Sequence, residues 1–178
     1  MTLPFLPQWF GRHKAPDKER MEEQPDPGEA ETQFLKALKF ASGQGVSQDY
    51  AQAAHWYAQA AEQNHGLAQF NLATMYRQGQ GVARDEAKSL MWMTRAAKLG
   101  DAAAQYKLGV QQHLACREGG PRAGPEGRIE ALKWVRLSAA QGYRGAEGAC
   151  EFVALGMTRE EVVEGQRRVD AFVADQHA

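Results

Sequence analysis

Cysteine, net charge and long apolar runs are all scarce in this chain. Its two cysteines, Cys116 and Cys150, lie far apart and outside any CxxC pair, which excludes a disulfide framework and a cysteine zinc site. The 21 Lys and Arg residues against 22 Asp and Glu give a formal charge of −1, so the basic excess of general nucleic-acid binders is missing. No run approaches the roughly 20 apolar residues of a membrane span. The 178 residues, 43% of them apolar, therefore predict one globular domain, most simply a cytoplasmic one with reduced thiols.

Proline is concentrated near the N-terminus. Residues 1–28 hold five of the seven prolines and a mixed-charge run from Lys14 to Asp26, and such a segment buries too little apolar surface to offset its chain entropy. We expect a flexible leader there rather than a secretory signal, because the basic residues follow the apolar stretch instead of preceding it. The apolar stretch, residues 3–10, either lies on the folded body, docks on another protein or makes a weak contact with a membrane surface.

The rest of the chain repeats itself with a period of 36 residues. The tetrapeptide Gly-Gln-Gly-Val occurs at 43–46 and again at 79–82. Three independent groups of residues agree on the same spacing, which makes chance a poor explanation. They are Asp49 and Asp85, Trp56 and Trp92, and the pairs Gln33-Phe34, Gln69-Phe70 and Gln105-Tyr106.

A third copy starts in register and then shifts by six residues, because Trp134 follows Trp92 by 42. The extra residues fall within 117–127, where four glycines and two prolines predict an irregular loop. In this copy Gly127 takes the helix-capping position, so we expect a looser turn.

The pattern between the glycines predicts two helices per repeat, at about 67–78 and 86–99 in the second copy. Good helix-forming residues fill both segments. Gly79 is placed to end the first helix in a left-handed conformation, and Asp85 is placed to cap the second. Small residues opposite the tryptophans allow close helix packing, so Trp56, Trp92 and Trp134 are predicted to be largely buried.

A partial fourth copy leads into a final helix. Thr158 and Glu161 form a capping box, and the apolar face that follows consists of Val162, Val163, Val169, Phe172 and Val173. Cys150 falls at a leucine position of the repeat, so it is predicted to be a small buried apolar residue.

The second repeat combines small, amide, aromatic and glycine residues in a fixed order. Its motif residues are Ala68, Gln69, Phe70, Leu72, Tyr76, Gly79, Gly81, Val82, Asp85, Trp92, Ala96, Ala97 and Gly100. This pattern resembles the Sel-one-like repeat (SLR) of the tetratricopeptide-like superfamily, over about residues 30–155. Ala73 and Ser89 depart from it by replacing glycine and alanine.

The resemblance implies an all-α fold, a right-handed α-solenoid of about 3.5 antiparallel helix-pair repeats with a C-terminal capping helix. Its first helices would line a concave face. The predicted organisation is a leader at 1–28, a solenoid at 29–156 with repeats at 30–65, 66–101, 102–143 and a partial one at 144–156, and a capping helix at 157–178.

The resemblance also implies a non-enzymatic adaptor or scaffold, of bacterial type, that binds a peptide or helix of a protein partner on its concave face. Phe34, Phe70 and Tyr106 recur every 36 residues on the first helices, at the edge of that face. They either pack between repeats or form an aromatic ladder that recognises a partner. The neighbouring groove residues would be Leu67, Thr74, Arg77, Val110 and His113.

No pattern in the chain indicates catalysis, a metal or a cofactor. The five histidines form no HExxH, and Gly-Gln-Gly-Val lacks the GK[ST] of a phosphate-binding loop. Two other functions stay open on the sequence alone. One is a small-molecule-binding or catalytic site in the 117–127 insertion, and the other is a self-assembling unit that stacks through its first repeat.

Overall fold

The computed structural model describes residues 27–119 and 123–176, and these residues contain eight helices and no strand. Each helix packs mainly on its neighbours in sequence, and α8 packs back on α6. The fold is therefore an all-α solenoid, as predicted. The helices are α1 (Pro27–Ser42), α2 (Tyr50–Glu62), α3 (Gly66–Gln78), α4 (Glu86–Lys98), α5 (Ala102–Arg117), α6 (Pro125–Ala140), α7 (Ala146–Ala154) and α8 (Arg159–Gln176).

The predicted leader, residues 1–28, falls outside the described residues except at its end, where Pro27 already begins α1. Within the described part of the chain, no helix is both long enough and apolar enough to cross a bilayer.

The two Gly-Gln-Gly-Val turns have the same backbone. Gly43 and Gly79 have φ values of 72° and 69°, which a residue without a Cβ adopts at little cost. The aspartates that follow, Asp49 and Asp85, have φ of −146° and −148° and cap the next helix through their side chains. The predicted helix-ending glycine and capping aspartate are both confirmed.

The insertion in the third repeat lengthens its helices and leaves the linker unchanged. Helices α5 and α6 each have 16 residues, whereas α3 and α4 each have 13. The linkers 79–85 and 118–124 are equally long. The loop predicted at 117–127 is therefore shorter than expected and spans 118–124, because α5 continues to Arg117 and α6 starts at Pro125.

The cap predicted at Gly127 is also wrong. Gly124 takes the cap position, with φ of 144° and no side-chain hydrogen bond, and Pro125 is the first helical residue. Proline suits that position because its fixed φ is already helical and its missing N–H has no intrahelical partner there. Gly127 is consequently buried inside the first turn of α6.

Tryptophans and alanines of the second helices form much of the main core. Trp92 and Trp134 are buried, with 5% and 4% of their surface exposed, as predicted. Trp56 is half-buried and packs against the same core, so it is more exposed than the other two. It lies against the edge helix α1, where the Lys36 side chain extends over its ring with Nζ 4.4 Å from the centroid.

Cys150 is half-buried beside a second apolar cluster, and burial raises the pKa of its thiol.

The predicted capping box starts α8. The Thr158 N–H donates to Glu161 Oε2 over 2.8 Å, and the Glu161 N–H donates to Thr158 Oγ1 over 3.3 Å. The apolar face of α8 is narrower than predicted. Val169 is buried, whereas Val163 and Val173 are 62% and 43% exposed. Only a narrow stripe is covered, since α8 packs chiefly on the single helix α6.

Arginines hold α8 on α6. The Arg168 guanidinium donates to Glu126 over 2.6 Å, to Glu130 over 3.1 Å and to Glu164 over 2.9 Å. Arg167 and Arg168 together lower the pKa of Glu164 to about 2. The C-terminal cap therefore combines a small apolar contact with charged hydrogen bonds, which are stronger than neutral ones.

Candidate protein-binding surface

The eight candidate residues lie along the first helices of the pairs, and we call them the first-helix stripe. On α3 they follow the spacing i, i+3, i+7 and i+10, which keeps them on one side of the helix. The members are Phe34 on α1; Leu67, Phe70, Thr74 and Arg77 on α3; and Tyr106, Val110 and His113 on α5.

Two aromatic rings of the stripe contact the turn that starts the next repeat. Phe34 stacks on His65 with ring centroids 4.6 Å apart. Tyr106 packs on Tyr143 at 5.3 Å. His65 and Tyr143 occupy equivalent positions in the first and third copies of the turn, and Asp101 holds that position in the second. These rings are half-buried, so each has a packing role and also keeps an exposed edge.

The ring of Phe70 is covered by a cation instead. Lys107, on α5, places Nζ 4.3 Å from the centroid of the Phe70 ring. Burial and the nearby Arg77 guanidinium lower the pKa of the Lys107 ammonium, and the Asp101 carboxylate opposes them more weakly. No carboxylate in the described part of the chain forms an ion pair with Lys107 or Arg77. Sequence reasoning missed Lys107, although its place directly after Tyr106 put it on the same helix.

Two α3 residues flank this cation pair. Leu67 is 52% exposed, which leaves an apolar side chain in solvent. The Thr74 hydroxyl donates to the Phe70 carbonyl oxygen over 3.0 Å, so it is satisfied within its own helix. Leu67, the edge of Phe70 and Arg77 therefore form the accessible centre of the stripe, and Lys107 lies beside them.

The α5 end of the stripe is covered. His113 is only 5% exposed, and its ring packs edge-on against Phe152 of α7 at 4.9 Å. Burial and Arg117 lower its pKa, so the neutral imidazole is favoured. Val110 packs beside the second apolar cluster. The prediction that His113 faces a groove is wrong, because α7 covers this part of α5.

Two described charged groups of the 117–127 insertion contact different partners. Arg117 lies over the Phe152 ring at 5.7 Å, and Glu126 pairs with Arg168. Arg122 lies outside the described residues. Within residues 27–119 and 123–176, no three His, Cys, Asp or Glu side chains are grouped to hold a metal ion.

Comparison with known proteins agrees with this architecture. The family model described as Sel1 repeat matches three segments, residues 40–65, 66–101 and 102–143. The last two coincide with the helix pairs α3–α4 and α5–α6, and the first begins near the end of α1. Among curated proteins, none matches the chain.

Two solved structures share the fold. The crystal structure of a Sel1 repeat protein from Oxalobacter formigenes is 34% identical, with a TM-score of 0.59; the match covers 70% of this chain and 89% of that one. A protective antigen present in uropathogenic Escherichia coli strains, displaying an SLR fold, is 27% identical, with a TM-score of 0.62. That match covers 85% of this chain but 32% of the antigen.

The fold defines an α-solenoid of helix-pair repeats, a class that is typically non-catalytic. The matched segments and the similarity to the Oxalobacter protein show the family of this chain. The chain belongs to the Sel1 repeat family. Proteins of this family are generally protein-interaction scaffolds.

Proposed function

We propose that this protein is an adaptor whose first-helix stripe binds a peptide or helix that carries acidic and apolar residues. The resemblance to the family supports a concave side formed by the first helices. The observation that carries the proposal is the pair of cations around Phe70. The Arg77 guanidinium lowers the pKa of Lys107 by more than the Asp101 carboxylate raises it, and neither cation forms an ion pair with a described carboxylate.

A partner carboxylate would offset this repulsion. Two like charges close together, one of them half-buried, favour a bound anion. The exposed Leu67 and the edge of the Phe70 ring provide apolar area beside the charges. Aromatic and arginine side chains are the residues that most often carry the binding energy of protein interfaces. The cysteine usage and the formal charge of −1 support a cytoplasmic adaptor with protein rather than nucleic-acid partners, and the bacterial relatives support a bacterial one.

Charge reversal on the stripe tests the proposal. Random peptides are selected by display against the full chain and then measured against the double variant Arg77→Glu and Lys107→Glu. We expect the selected peptides to combine Asp or Glu with apolar residues. We expect the double variant to bind them about tenfold more weakly or worse, because a close interfacial charge pair contributes about 1.5 kcal/mol or more.

The matched control reverses two exposed cations away from the stripe, Lys39→Glu and Arg84→Glu, and so changes the net charge equally. It should keep the affinity of the original chain. Equal loss in both double variants would mean that only net charge matters, and unchanged affinity in the stripe variant would contradict the proposed surface.

A second experiment separates packing from recognition at the aromatic rings. The variants Phe70→Ala and Tyr106→Ala are measured for unfolding and for binding. Loss of stability without a separate loss of binding assigns the rings to packing alone.

A further inference from the structure

Buried glutamines on the first helices receive a second amide in the first and third repeats. Gln33 and Gln105 are 8% and 1% exposed. Gln63 Nε2 donates to Gln33 Oε1 over 2.7 Å, and Gln141 Nε2 donates to Gln105 Oε1 over 2.9 Å. Gln63 and Gln141 are both the residue that ends the second helix of their pair. The two repeats therefore fill the same place with the same side-chain amide.

The middle repeat keeps the buried glutamine but lacks the partner. Gln69 is fully buried, and its Nε2 donates to the Ala61 carbonyl oxygen over 2.9 Å. The residue that ends the second helix here is Leu99, which has no donor. Gln69 Oε1 consequently has no hydrogen-bond partner among the described residues, an arrangement that costs about 1–3 kcal/mol in a buried group.

An open cleft of about 420 Å³ lies at this place. It is large enough for a side chain from another molecule. Its lining includes cationic, anionic, amide and apolar side chains. Arg95 and Lys98 offer cationic donors, and Glu62 lies 3.7 Å from Arg95. The lining residues are Glu62, Asn64, Gln69, Arg95, Lys98 and Leu99.

We propose that this cleft is a binding site for a glutamine side chain of a partner chain, which occupies the place that Gln63 and Gln141 occupy in the flanking repeats. The incoming amide N–H donates to Gln69 Oε1. The incoming carbonyl oxygen accepts from the donors of Arg95, Lys98 or Asn64. The cleft contains no residue of the first-helix stripe, so this site goes beyond the function proposed above and does not depend on it.

The charges of the cleft favour an amide over charged side chains. Arg95 and Lys98 oppose the ammonium of a lysine. A carboxylate would satisfy those cations but would place an acceptor against the Gln69 acceptor, which leaves the buried oxygen unpaired. A primary amide supplies a donor and a neutral acceptor on separate atoms, and a glutamine amide already fills this place in the flanking repeats.

Nuclear magnetic resonance of the full chain tests this site. The probe is glutamine blocked at both ends, N-acetyl-glutamine N-methylamide, and the equally blocked glutamate and methionine are the comparison probes. Free L-glutamine represents a small-molecule source of the same amide. We expect saturable shifts of the Gln69 side-chain amide and of the Leu99 and Gly100 backbone amides with blocked glutamine. The glutamate and methionine probes should produce much smaller shifts.

Two variants at one exposed position provide the control. Leu99 is 47% exposed, so both Leu99→Gln and Leu99→Met should fold. Leu99→Gln supplies the missing amide from within the chain and should abolish the response, whereas Leu99→Met should retain it. An absent response in the original chain, an equal response in Leu99→Gln, or tighter binding of blocked glutamate would overturn the proposal. Tighter binding of free glutamine would overturn the assignment to a partner chain.

Discussion

Replacing Gly81 by alanine is expected to destabilise the chain much more than the same replacement at Gly45, although the two glycines hold equivalent positions in identical tetrapeptides. Their φ values are similar, 68° and 76°. Alanine at a left-handed position costs about 1–2 kcal/mol, so the conformational penalty is shared by the two variants. Any difference between them must come from the surroundings.

The surroundings differ because only Gly81 has a repeat in front of it. A Cβ on Gly81 would collide with the backbone of Tyr50 and Ala51 at the start of α2, and backbone atoms cannot turn aside as a side chain can. A Cβ on Gly45 would meet nothing within 4 Å. Overpacking of this kind costs about 1–3 kcal/mol, which is the expected excess destabilisation of Gly81→Ala over Gly45→Ala.

Urea unfolding of both variants measures this excess, provided that the slope of free energy against urea stays the same. Equal destabilisation of the two variants would show that the linker at 79–85 does not press on the preceding repeat in solution.

Replacing Trp92 by alanine is expected to cost about 3–5 kcal/mol, the range for large aromatic side chains removed from a well-packed core. Trp92 is 5% exposed and lies in the main apolar cluster with Leu72 and Leu108, which come from the first helices of two successive repeats. Its removal leaves a cavity at the centre of the solenoid. Since a small domain is typically stable by only about 5–15 kcal/mol, this loss is a large part of the total.

Trp56→Ala is the matched comparison, because Trp56 is the same residue at the equivalent position but is half-buried. Its replacement should cost less than about 3 kcal/mol. Thermal and chemical unfolding of the two variants give the comparison. Equal loss of unfolding free energy in Trp56→Ala and Trp92→Ala would contradict this account. It would show that the burial of the ring does not set the cost of removing it.

Much of the fold was predictable because its determinants are local. Gly79 and Asp85 act within the turn that contains them, and Thr158 and Glu161 act within one helical turn. The fate of the insertion was not predictable from the glycines and prolines around it. Pro125 favours a helix start as well as a loop, and the longer α5 and α6 extend along each other. Gly109 of α5 allows this close packing, since a Cβ there would lie 2.9 Å from the Ala131 carbonyl oxygen.

The features that sequence reasoning missed join residues far apart in the chain. Arg168 reaches Glu126 across 42 residues, and neither periodicity nor a motif links the two. The empty place beside Gln69 is visible only when Leu99 is compared with Gln63 and Gln141, after the structure has shown that these residues end equivalent helices. The burial of His113 depends on α7, which is too short to complete a fourth repeat.

The central claim is that the helix pairs are stable only through contact with one another, as stacked repeats require. Circular dichroism of the second repeat alone, residues 66–101, tests it most directly against the intact chain. Two 13-residue helices are marginal in water without tertiary packing. We therefore expect the isolated repeat to show little helix and no cooperative melting, while the intact chain melts in a single cooperative transition. A helical, cooperatively melting repeat on its own would contradict the claim.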